Sequence, residues 1–185
     1  ERPSWAAAGP GKRSFALARL ARGLRGVDAD TAQIFGLFCD AGIALLMQRF
    51  PTYCAEMKLG IAGQWINLLE EDRKFNADHC VVGYLVARHW HLPAYICDAI
   101  RYHHAIGELG DHDARSMVAI LQLAIEIYYR GQRVPNPEWD QIKGDVLAEL
   151  GLSEDGLPEF VYIILERFHD DPPPPNPVLL RVLPQ

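Results

Sequence analysis

The chain has 185 residues, 49% apolar and 23% charged, the proportions of a soluble globular protein with one core. Its 18 Lys+Arg against 24 Asp+Glu give a formal charge of −6, which excludes a protein built to coat nucleic acid. Charges interrupt every apolar run short of the ~18 residues that a membrane span needs.

Glu1 to Gly11 has no apolar core region of the kind a signal peptide carries. With no initiator Met, the chain is expected to start inside a longer gene product or after a trimmed tag. Over Lys12 to Arg25, Leu17, Leu20, Ala21 and Leu24 share one helical face, while Lys12, Arg19, Arg22 and Arg25 fall mainly on the other. Those four cations are candidates to bind an anion such as a phosphate or a lipid headgroup. Asp28 or Asp30 can cap a helix through TAQIFGLFCDAGIALLMQRF that ends at Phe50, before Pro51. Being apolar almost all round, this helix is expected at the centre of the core.

A short helix after Pro51 and another over QWINLLEEDRKF come next. Asn76 is expected to cap ADHCVVGYLVARHW, and Pro93 to open LPAYICDAIRYHH. Beyond a loop at 105–112, helices are expected over Ala114–Tyr129, from Pro137 across EWDQIKGDVLAEL, and from Ser153 through ILERF. No alternating strand pair is present, so the expected fold is all-α, a compact bundle of about eight helices over residues 1–169. Residues 170–185 differ in kind. DDPPPPNP reads as a stiff polyproline II spacer, and VLLRVLPQ as an apolar tail that needs a surface to cover. That surface is expected to be its own domain or a second copy, with an exchanged arm in a homodimer favoured over self-docking.

The four cysteines, Cys39, Cys54, Cys80 and Cys97, have no close C-x-x-C spacing. They are expected to be buried reduced thiols, which favours a cytoplasmic location. Trp90 is expected to pack in the core. The polar residues with chemical potential are Asp40, inside an apolar helix, His79 in a first turn with Gly83 one turn on, and His103 and His104 at a helix end. An inward carboxylate beside two histidine-bearing helices has the outline of a metal site, and buried polar groups need partners. Asp40, His79 and at least one of His103 and His104 are therefore expected in one pocket.

The segment EEDRKFNADHCVVGYLVARHWHLPAYICDAIRYHH resembles the hallmark of HDOD domains: an acidic residue, D-H-x-x-x-G, a helix ending W-x-L-P, and one ending H-H. IFGLFCDAGIALL is similar to the family's G-L-L-H-D-I-G-K-like helix, and the likeness runs from about Trp5 to Arg130. The family's N-terminal helical half has no counterpart here. HDOD domains are relatives of the HD-type metal-dependent phosphohydrolases, which hold metal with a His, a His–Asp pair and a later Asp. The resemblance sets Arg13, Cys39, Asp40 and Ile125 at those positions, so Asp40 alone survives. His79, His103 and His104 fall where the related HD-GYP enzymes place further metal histidines, but no G-Y-P segment follows YHH.

The resemblance thus implies no catalytic residue, no cofactor and no metal, with Asp40, His79, His103 and His104 as the residual candidates. It implies a bacterial signalling module that binds other signalling proteins. The alternatives are a residual phosphohydrolase and a nucleotide sensor that uses the vestigial pocket.

Overall fold

The local signals in the sequence become helices one after another in the structure, a computed structural model that describes residues 28–59 and 67–170. Among these residues nine α-helices form and no strand, as an all-α fold requires. Asp28 accepts from the Thr31 N–H at 2.8 Å and caps α1, Ala29–Phe38. α2 spans Ala41–Arg49 and stops before Pro51, and α3, Tyr53–Glu56, is a single turn. α4 covers Leu68–Phe75, α5 His79–His89 and α6 Ala94–Arg101. A 3₁₀ turn at Ile106–Glu108 leads into α7, His112–Gln132, then α8, Trp139–Leu150, and α9, Leu157–Asp170. The basic segment with Lys12, Arg19, Arg22 and Arg25, and the tail beyond residue 170, lie outside the described residues.

The expected single helix to Phe50 is two. Asp40 leaves helical geometry at φ −101°, ψ 11°, and the Ile43 N–H reaches back only three residues, to the Asp40 carbonyl at 3.1 Å. A short carboxylate competes with the helical backbone, and the break lets the two halves take different neighbours: α1 packs on α6, and α2 on α5. As one stretch, Ala29–Arg49 has the length and mean hydropathy, 1.3, of a membrane-crossing helix, although the sequence reading excluded a span. In the structure that stretch is broken at Asp40 and packed within the helical fold.

It is not the centre of the core either, since Ile34, Leu37, Leu45 and Met47 stay exposed. The centre is α7, where every residue from Met117 to Ala124 is buried round the whole circumference. α6 and α8 lie against it. A second apolar cluster, Leu46, Tyr53, Met57 and Phe75, joins α2, α3 and α4, with the Tyr53 and Phe75 rings 5.0 Å apart.

One cap differs from expectation. Asp78, not Asn76, caps α5, accepting from the Val81 N–H at 2.7 Å. Asn76 instead ends α4 in the left-handed region, φ 56°, which asparagine tolerates better than most residues. Trp90 is 60% exposed and meets Phe38 edge-on at 5.2 Å, so it caps the surface of the α1–α5 junction rather than filling the core.

Candidate functional site: a histidine pocket where two helix ends meet

Asp78 fixes the start of α5, so His79 and Cys80 enter the fold as consecutive residues of one first turn, both buried. Such neighbours normally diverge by about 100° around a helix, yet here both face the same pocket. The other wall comes from the end of α6. That helix stops at Arg101, earlier than the sequence implied, and His103 and His104 lie in the turn beyond it. The Gln122 side chain, from the middle of α7, donates to the His103 carbonyl at 2.5 Å and pins that turn to the core.

Close helix approach makes the pocket possible. Gly42 meets the backbone of α5 so tightly that a Cβ there would lie 2.0 Å from the His79 carbonyl oxygen. Gly83 has the role its spacing predicted, admitting Ile100 of α6, whose Cγ2 would be 3.0 Å from a Cβ.

Each histidine is oriented through Nδ1. His79 Nδ1 lies 2.7 Å from Glu71 Oε2, His104 Nδ1 lies 2.7 Å from Glu138 Oε1, and His103 Nδ1 lies 2.7 Å from the Ile100 carbonyl. A carboxylate or carbonyl can only accept, so Nδ1 carries the proton in every ring, and a neutral ring then offers Nε2 as a lone pair. The lone-pair ends of His79 and His104 converge. His79 Nε2 and His104 Nε2 are 3.2 Å apart, and Cys80 Sγ is 3.6 Å from His79 Nε2. The His103 ring stands 4.1 Å from that of His104, centroid to centroid. Asp40, half-buried at the helix break, brings Oδ1 to 3.7 Å from His103 Nε2.

The electrostatics follow from this packing. Burial pushes the Glu71 carboxyl up, but the hydrogen bonds from His79 and from the Tyr53 hydroxyl outweigh it and hold Glu71 below the usual carboxylate value. Tyr53 donates to Glu71 Oε1, and burial together with that bond drives its phenol well above its ordinary value. Burial, reinforced by the charges of Asp78 and Glu71, likewise pushes the Cys80 thiol up, so without a cation it stays protonated.

The structure therefore brings Asp40, His79, His103 and His104 into one pocket, as the sequence reading expected. It adds four residues that reading did not use: Tyr53, Glu71, Cys80 and Glu138. Cys80 directly follows His79, and adjacency was its one visible signal. Glu138 lies 34 residues from His104, and nothing in the sequence joins them.

The remaining positions of the HD-type ligand set do not fit a metal. Cys39, 1% exposed, lies in the main apolar cluster, where its thiol is 3.5 Å from the Gly36 carbonyl, and Ile125 packs against the same cluster. Arg13 lies outside the described residues.

The sequence model of the HDOD domain matches residues 10–106. Among solved structures, the fold is similar to a candidate phosphohydrolase from Shewanella amazonensis SB2B, with a TM-score of 0.59 and 18% identity, covering 82% of this chain and 58% of that one. It is also similar to an HDOD domain protein with unknown function from Geobacter sulfurreducens, with a TM-score of 0.53 and 24% identity, covering 85% and 57%. The chain thus spans under three-fifths of the length of either. No curated protein matches it.

Proposed function

Because the chain belongs to the HDOD domain family, we propose that it is a regulatory module of bacterial signal transduction, one that binds other proteins and does not hydrolyse phosphoesters. The observation that supports this best is residue 39. The histidine of an HD-type His–Asp pair supplies an imidazole to the metal, whereas Cys39 is a buried thiol built into the apolar core. A hydrolytic dinuclear centre needs hard oxygen and imidazole donors at fixed positions, and Asp40 by itself cannot replace them.

The test is an assay of phosphate mono- and diesters, cyclic dinucleotides included, with added manganese or magnesium. We expect no turnover above that of an Asp40→Ala variant. Turnover that Asp40→Ala abolishes would overturn the reading. It would favour a residual phosphohydrolase, which the 3.7 Å approach of Asp40 to His103 supports. A nucleotide that raises the melting temperature without being hydrolysed would favour a sensor instead.

A further inference from the structure

The geometry points to a closed, single transition-metal site of zinc type, held by His79, Cys80, His103 and His104. One donor atom from each of the four lies within 4.8 Å of every other. With zinc bonds of about 2.0–2.1 Å to nitrogen and ~2.3 Å to sulfur, a tetrahedron has N···N edges of about 3.4 Å and N···S edges of about 3.6 Å. The 3.2 Å between the Nε2 atoms of His79 and His104, and the 3.6 Å from Cys80 Sγ to His79 Nε2, are close to those edges. His103 would complete the set by turning its Nε2 inward, since Nδ1, 3.6 Å from Cys80 Sγ, is taken by the Ile100 carbonyl.

Three features beyond proximity support the site. The first is the outer shell. Metal-bound histidines donate their other N–H to a carboxylate or carbonyl, and all three do so here, to Glu71, the Ile100 carbonyl and Glu138. The second is the electrostatic oddity of two Nε2 atoms facing each other inside the protein. Two neutral rings held in this tautomer would oppose lone pairs, and a cation between them turns that opposition into binding. The third is charge. A Cys80 thiolate cancels half of a divalent charge, and Asp40, Glu71 and Glu138 surround the rest.

Three imidazoles and one thiolate select a borderline-soft metal over magnesium, calcium or manganese. Four protein donors leave no open position for a water nucleophile, so the role is structural. The metal would clamp the start of α5 to the turn after α6. Through Glu138 it would also tie in α8, which lies beyond the stretch that the HDOD model matches. This site goes beyond the regulatory reading and departs from the expectation that the protein binds no metal. It does not depend on which partner is bound.

The experiment is cobalt(II) titration of the chelator-treated full chain, followed by zinc displacement. We expect saturation at one equivalent, the visible bands of tetrahedral cobalt, a near-ultraviolet thiolate-to-cobalt charge-transfer band, and a rise in melting temperature. Cys80→Ser should remove the charge-transfer band. Glu138→Gln should keep the band but weaken affinity roughly 10- to 100-fold. A folded wild type that shows no charge-transfer band at one equivalent overturns the site, as does a band that survives in Cys80→Ser. Should Cys80→Ser fail to fold, the wild-type spectrum and the Glu138→Gln affinity decide. Phosphoester turnover by the metal-loaded protein would overturn the regulatory reading, and the spectra would still judge the site.

Discussion

Individual side chains act through partners that arrive from distant parts of the chain. Glu149 on α8 shows this outside the histidine pocket. Its carboxylate accepts from the Ser116 hydroxyl at 2.8 Å and from the Arg115 guanidinium at 3.0 Å, and it also meets exposed His112. Burial pushes its carboxyl up, but the Ser116 and Arg115 bonds outweigh this and leave it below the usual carboxylate value. A carboxyl with a folded pKa below its unfolded one, about 4.3, binds fewer protons when folded, so stability rises with pH between the two values. The contribution is complete above the unfolded value and is lost as pH falls through the folded one. Denaturant titrations from pH 6 to 3 should therefore show a smaller acid-induced loss of stability for Glu149→Gln than for wild type. Equal slopes would mean that the cluster is not formed in solution.

At the scale of elements, the contact that matters most is the crossing of α2 and α5. Gly42 and Gly83 face this junction, and each permits an approach that a side chain would block. At Gly83 the obstructing atom is the methyl end of Ile100, which can shift. At Gly42 it is the His79 backbone, which cannot move without displacing α5 and the pocket with it. Gly42→Ala should therefore destabilise the protein by about 3 kcal/mol or more in chemical denaturation, the upper part of the range for overpacking. Gly83→Ala should cost less. If both alanines prove harmless, α2 and α5 are further apart in solution. The break at Asp40 belongs to the same scale, because it lets a single apolar run serve two neighbours.

For the whole molecule, α7 is the organiser. From Met117 to Ala124 it is buried on every side, it is flanked by α6 and α8, and it anchors the His103 turn through Gln122. Beyond the described residues, the tail with Val178, Leu179, Leu180, Val182 and Leu183 needs apolar cover on sequence grounds alone. Burying three such side chains contributes about 5 kcal/mol, enough to offset ordering a short segment behind a stiff proline spacer. We propose an exchanged arm in a dimer, with docking on the chain's own domain as the alternative. Deleting residues 172–185 should then halve the mass measured by light scattering, whereas an unchanged mass and melting temperature would leave the tail no structural role.

Helical type and several helix ends were legible in the sequence, because they depend on neighbours a few residues apart. A 3.6-residue apolar period, Asp28 as a cap and Pro51 as a stop act locally, whatever the rest of the chain does. The family could be read for the same reason, since the D-H-x-x-x-G and H-H blocks are contiguous. Where local signals competed, the reading failed. Asn76 and Asp78 are both plausible caps, and only the left-handed turn at Asn76 settles which one starts α5. The apolar α1–α2 stretch looked central, but the choice between it and α7 depends on how much surface each buries against other helices. The pocket was legible as four residues and not as a site. Its geometry depends on Cys80 turning beside His79, on Glu71 and Glu138 fixing the tautomers, and on Gly42 letting two helices touch. These are distances between segments remote in sequence, which exist only once the helices have packed.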